Sequence, residues 1–154
     1  MPKEHRYTAT TVWSGATADY KTYSRAHEIR VPGKPAIAAS SDAALGGNAN
    51  RINPEDMLVG ALSSCHMLWY LHLCAVKGVV VTAYEDRAEG VMVEEPRNGR
   101  FTEVTLRPQV TITAECDTAL ATSLHERAHH ECFIANSVNF PVKCEPITAK
   151  AKAA

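Results

Sequence analysis

The stretch that decides the fold is Asn53-Pro54-Glu55-Asp56-Met57-Leu58-Val59-Gly60-Ala61-Leu62-Ser63-Ser64-Cys65-His66-Met67-Leu68-Trp69-Tyr70, continuing through Leu71-His72-Leu73-Cys74-Ala75-Val76-Lys77 to Gly78. Asn53 suits an N-cap, and Pro54 suits the first helical position. Glu55 and Asp56 put negative charge where the helix dipole is positive. Gly78 stands where a helix closes on a left-handed residue. The spacing predicts one long helix from Pro54 to about Lys77. Leu58, Leu62, Cys65, Trp69, His72 and Val76 share a face, yet Met67, Leu68, Leu71 and Leu73 are apolar as well. A helix that is apolar nearly all round is buried on most sides.

Upstream, His5–Trp13 is rich in Thr, Tyr and Val and reads as a strand. Ala26–Val31 and Ala36–Ala39 read as two short strands about the Pro32-Gly33-Lys34-Pro35 turn, and 40–51 as a polar loop. Downstream, Val79–Tyr84 is a β-branched strand. Ala88–Glu95 and Phe101–Ala114 form a hairpin about Pro96-Arg97-Asn98-Gly99. Asp117 caps a second helix to about Glu131, Pro141 closes the segment 132–140, and Val142–Lys150 is the last strand. The order is βββ-α-βββ-α-β, an α+β arrangement in which a long apolar helix must pack on sheet. One small domain has little surface to bury that helix, so residues 1–154 are expected to form a single domain completed by dimerisation.

At 45% hydrophobic residues the chain has material for a core, and its net charge of -1 gives no electrostatic case for nucleic acid or an anionic membrane. The charged start Met1-Pro2-Lys3-Glu4-His5-Arg6 lacks the apolar region of a signal peptide. No uninterrupted apolar run approaches the roughly 18 residues of a membrane span. A cytoplasmic location is the expectation. The 5 cysteines, at 65, 74, 116, 132 and 144, are odd in number, widely spaced and contain no C-x-x-C. That argues against a secreted disulfide framework and a cysteine-rich zinc knuckle.

Cys65 lies about three turns into the long helix, where a cysteine is ordinarily packing. Helix-dipole help fades within the first turn, so a reactive thiolate there needs a cation brought from elsewhere. Glu55, ten residues before Cys65, is about 15 Å away along one helix axis. It either has nothing to do with the thiol or reaches one on another subunit. Cys132 falls where the second helix breaks, a place for packing or for a lowered thiol pKa. His125-Glu126-Arg127-Ala128-His129 matches H-E-x-x-H, the pattern of a small zinc hydrolase with Glu126 as base. Arg127 within the motif, and no third ligand at a family spacing, favour a solvated helix face. His66 and His130 read as ordinary helix residues.

Asn53-Pro54-Glu55-Asp56-Met57-Leu58 followed by Ala61-Leu62-Ser63-Ser64-Cys65 resembles the central-helix signature of the OsmC/Ohr peroxidases. Cys132-Phe133-Ile134-Ala135-Asn136-Ser137 stands where that family has its second cysteine, with Phe133 in place of the usual proline, and Val142–Ala149 fits its last strand. The resemblance implies an intertwined homodimer acting on small-molecule organic hydroperoxides without metal, flavin or haem. It implies that Cys65 is the peroxidatic thiol and Cys132 resolves it, with a dithiol such as a lipoyl group as reductant. It further implies that Glu55 orients an arginine that stabilises the Cys65 thiolate; Arg25 is the favoured residue and Arg51 its rival. Met57, Leu58, Met67, Trp69 and Phe133 would suit a lipophilic substrate. A non-enzymatic redox-sensing or ligand-binding dimer on the same fold is the alternative.

Overall fold

The computed structural model describes residues 1–152. Packing divides the chain into two compact units, Met1–Met57 and Leu58–Ala154.

The first unit is a three-stranded antiparallel sheet of β1 (Thr10–Val12), β2 (His27–Arg30) and β3 (Ile37–Ala39), in that spatial order. The strand expected over His5–Trp13 is thus confined to its C-terminal part. Trp13 instead turns its indole N–H to the Ser24 carbonyl, 2.7 Å away. The polar loop holds a 3-10 turn, Ala43–Leu45, started by the Asp42 carboxylate accepting from the Ala44 N–H and ended by Gly46 at φ 80. The cap expected at Asn53 forms reciprocally. The Asp56 N–H donates to Asn53 Oδ1 at 2.7 Å, and the Asn53 N–H donates to Asp56 Oδ2 at 3.2 Å. Two of the N–H groups that a helix start leaves unpaired are satisfied this way.

Helix α1 spans Pro54–Lys77, as its caps predict, and Gly78 follows at φ 73. With 24 residues and a mean hydropathy of 1.3 it is long and apolar enough to cross a membrane on length and composition alone, against the expectation from uninterrupted apolar runs. Core helices of compact folds pass the same test. Its buried residues are Leu62, His66, Tyr70, Leu73 and Cys74, one stripe at helical spacing. Within a single chain the opposite face stays open, with Leu68 60% and Val76 66% exposed.

Two three-stranded sheets complete the second unit. One has the order β4-β7-β9 (Val81–Asp86, Pro108–Ile112, Ile147–Lys150); the other has β5-β6-β8 (Glu89–Glu95, Asn98–Leu106, Val142–Cys144). The runs 101–114 and 142–150, each read as one strand, are therefore each divided between the sheets. The Arg107 N–H is taken by the Asp86 carboxylate at 2.7 Å, and Pro108 and Pro146 have no N–H to offer a ladder. Both chains of strand cross together: β8 pairs parallel with β6, and β9 parallel with β7.

Helix α2 (Thr118–Glu131) packs Ala121, Leu124 and Ala128 into a core with Tyr70, Leu73, Cys74, Val110 and Ile112. A second core gathers Leu62, Val104 and Leu106, with Phe101 and Phe140 at its edge. The Asp117 carboxylate caps α2, accepting from Ala119 N–H at 2.8 Å. Asp117→Ala is expected to cost about 1 kcal/mol in urea unfolding, with Asp117→Asn retaining most of it.

Candidate functional site

In the second unit, Cys65 is half-buried midway along α1, and Cys132 closes α2 as its C-cap residue with only 1% exposure. The two thiols are neighbours, both reduced. Burial pushes the Cys132 thiol up to about 11. The Ala135 N–H, 3.5 Å from its sulfur, pulls the other way, and the adjacent Cys65 thiol adds to the rise. A second contact holds the same approach. Trp69, one helical turn beyond Cys65, meets the ring of Phe133 edge-to-face at 5.3 Å. Phe133, next to Cys132 in the chain, is itself largely exposed.

In the first unit, Arg25 is held by two tyrosines. Its guanidinium lies 4.2 Å from the Tyr23 ring centroid and 5.4 Å from that of Tyr20. Its N–H groups donate to the carbonyls of Tyr23 and Tyr20, each at 3.2 Å. Gly46 admits this arrangement: a Cβ there would come within 3.1 Å of the guanidinium carbon, at a φ of +80 that side chains rarely adopt. Arg51 donates to the His27 carbonyl at 3.2 Å. Among the described residues no ion pair involves Arg25, Arg51 or Glu55. The orienting pair of Glu55 with an arginine is therefore not made within the first unit.

A cluster of His66, His125 and Cys144 lies between α1, α2 and β8. His66 Nε2 and His125 Nδ1 are 3.0 Å apart, and Cys144 Sγ lies 3.5 Å from the former and 4.0 Å from the latter. The imidazoles are 1% and 3% exposed. Burial lowers the His66 pKa to about 4, helped by His129 and opposed by Asp86; burial also lowers that of His125 to about 3, helped by His66. Both rings are neutral at pH 7, so one proton sits between the facing nitrogens. Tyr70 stacks on the His125 ring at 3.8 Å. Asp86, which accepts from the Ser63 hydroxyl at 2.5 Å, supplies the nearby negative charge. Of the H-E-x-x-H motif only His125 joins this group; its partners are His66 and Cys144, while Glu126 is exposed and His129 stands outside the contact. The helix therefore does not pair its own histidines as a zinc hydrolase motif would. Gly46, His66 and Cys144 had no local sequence signal, since each acts through a residue remote in the chain.

The OsmC model, described as OsmC-like protein, matches residues 46–146. The chain belongs to the OsmC-like family. An OsmC-like protein of unknown function from Vibrio cholerae O1 biovar eltor is 33% identical, with a TM-score of 0.85 over 94% of this chain and 100% of that one. An organic hydroperoxide resistance protein from Elizabethkingia anophelis shares the fold at 18% identity and a TM-score of 0.71, over 98% and 100% of the two chains. That of Bacillus subtilis shares it at 20% identity and 0.60, over 92% and 98%. No curated protein matches the chain. Membership also accounts for α1, which lies within the matched span as the long helix of an OsmC-like fold.

Proposed function

We propose that this OsmC-like protein is a thiol-dependent peroxidase of organic hydroperoxides, working as a cytoplasmic homodimer in the response to oxidative stress. The observation that carries the reading is the adjacency of the Cys65 and Cys132 thiols. The Cys65 thiolate attacks the distal peroxide oxygen, the O–O bond breaks, and the alkoxide leaves as an alcohol after taking a proton. Cys65 is left as a sulfenic acid. Cys132 then attacks that sulfur, expelling water and forming a disulfide, and a dithiol such as a lipoyl group reopens it, ending as its own disulfide. Trp69 and Phe133 present aromatic surface beside the thiols, and Leu68, Trp69 and His72 bound a shallow cavity of about 230 Å³. Such surfaces favour an alkyl or aryl peroxide over hydrogen peroxide. The exposed apolar side of α1, with Leu68 and Val76, supports a second chain covering it.

Turnover of cumene hydroperoxide with dihydrolipoamide tests the reading. A protein that consumes neither is the non-enzymatic sensor or binder instead, which the burial and raised pKa of Cys132 favour.

For the activating cation we assign Arg25. Its guanidinium is clamped by two rings and two carbonyls, so it is presented in one orientation. Arg25→Ala is expected to lower kcat/KM by roughly 100-fold and to slow iodoacetamide labelling of Cys65. Arg51→Ala should leave both within about threefold of the parent, a shift under 1 kcal/mol. Equal effects refute the assignment. If Glu55 of one chain serves the other, mixing Glu55→Gln and Cys65→Ser chains should restore activity that neither variant shows alone, because each heterodimer then holds one complete site; a mixture as inactive as its components refutes the arrangement.

A further inference from the structure

We propose that His66 Nε2, His125 Nδ1 and Cys144 Sγ are three ligands of a zinc-type divalent ion, with a fourth position open to a neighbouring cavity. This goes beyond the peroxidase reading and departs from the sequence-based expectation of no metal. The three atoms come from α1, α2 and β8 and lie within 4.8 Å of one another. A tetrahedral zinc ion with Zn–N of about 2.0–2.1 Å and Zn–S of about 2.3 Å separates nitrogen from nitrogen by about 3.3 Å and nitrogen from sulfur by about 3.6 Å. The separations here are 3.0, 3.5 and 4.0 Å. Two borderline donors and one soft donor converging at these distances suit zinc over a hard cation such as magnesium.

Hydrogen bonding alone leaves the cluster incomplete. The imidazoles are parallel within 4°, with centroids 5.3 Å apart, so the two inner nitrogens point at each other and share one proton. Among the described residues, the outer nitrogens, His66 Nδ1 and His125 Nε2, have no hydrogen-bond partner. On the inner edge, among the described residues, the two nitrogens and the Cys144 sulfur meet only one another. An ion converts the same convergence into bonds, with the rings turning their inner lone pairs from each other toward it. The shared proton moves to an outer nitrogen and the Cys144 thiol loses its own, so one proton is released per ion bound. The Asp86 carboxylate, which acts electrostatically on both His66 and Cys144, offsets the remaining positive charge.

The open side is a cavity of about 360 Å³, bounded by His125 and Cys144 together with Thr122, Ser123, Glu126 and His129. It has room for water or a small anionic ligand at the fourth position. A site with three protein ligands and one open position has the form of a catalytic rather than a structural zinc site. Glu126 and His129, the remainder of the H-E-x-x-H pattern, line that opening as acid–base groups.

The test uses the full-length protein stripped with chelator and titrated with cobalt(II) alone. One equivalent should produce thiolate-to-cobalt charge transfer and the visible bands of a tetrahedral ion, and zinc should abolish both. Cys144→Ser should lose the charge-transfer band and weaken binding by more than about 100-fold, beyond the loss expected for an outer contact. Cys65→Ser should keep the band, which separates failure of this site from failure of the peroxidase reading. In the wild type, zinc should protect Cys144 from alkylation in peptide mapping, an outcome independent of how any variant folds. Absence of the cobalt bands, unprotected Cys144, or a band that disappears with Cys65→Ser and survives in Cys144→Ser overturns the proposal.

Discussion

Cys65→Ser is expected to abolish hydroperoxide turnover, with a fall of at least about 1,000-fold, because it removes the attacking atom itself. Serine is nearly isosteric, and Cys65 is half-buried on α1 outside the stripe of Leu62, His66, Tyr70, Leu73 and Cys74 that forms the core. The fold should therefore persist, which makes loss of activity interpretable. Stoichiometry sharpens the result. Of the 5 free thiols, one equivalent of peroxide should consume those of Cys65 and Cys132 in the parent and none in Cys65→Ser. Cys132→Ser should stop at a Cys65 sulfenic acid that a carbon nucleophile traps. Full turnover in Cys65→Ser, or peroxide-dependent loss of Cys74, Cys116 or Cys144 instead, would move the chemistry elsewhere in the chain.

Both helices were legible in the sequence because their ends are local chemistry. Asn53 with Asp56, Pro54, Gly78 and Asp117 each act within four residues of their own position, and the structure places the ends where they indicate. The strands were less legible. Alternation continues through Arg107 and through Glu145, so periodicity could not show that each run changes sheet there. The deciding interaction is the Arg107 N–H on Asp86, 21 residues distant. The first strand was over-read because Thr and Tyr propensity continues N-terminal to Thr10, where β2 supplies no pairing partner.

The sites divide in the same way. Cys65 and Cys132 drew attention through a family signature rather than through any physical mark of reactivity, and the neighbouring thiols bear on that pairing only once the chain is folded. The H-E-x-x-H pattern pointed to His125 and supplied the wrong partners. His66 is 59 residues from His125 and 78 from Cys144. No spacing rule reaches that far, and a histidine on a helix that is apolar nearly all round reads as filler until something is seen opposite it.

That histidine pair sets the second large expectation: the metal-free protein should lose stability sharply below about pH 6. In the unfolded chain each imidazole titrates near 6.5, whereas in the fold His66 and His125 are lowered to about 4 and about 3, chiefly by burial. The sign follows directly. Below 6.5 the unfolded state binds more protons than the folded one, so stability is complete above about pH 7 and declines as pH falls toward the folded values. Two groups changing together give a slope approaching about 3 kcal/mol per pH unit near pH 5. A proton shared between the rings forms a charge-assisted hydrogen bond that offsets part of this, so the loss from pH 8 to pH 5 should be about 2–4 kcal/mol. Against a typical stability of about 5–15 kcal/mol, that is enough to shift a urea midpoint visibly. Asp86 and His129 face His66, and Tyr70 and Cys144 adjoin His125. His129→Gln leaves both buried imidazoles in place, so it should change the slope less than His125→Phe. His125→Phe retains an aromatic ring on Tyr70 and cannot gain charge, so about half the pH dependence should disappear even as stability at pH 8 falls. Urea unfolding of the chelator-treated proteins at pH 8, 6 and 5 measures both quantities. Stability that stays level from pH 8 to 5, or an unchanged slope in His125→Phe, would show that the buried imidazoles are not what acid attacks.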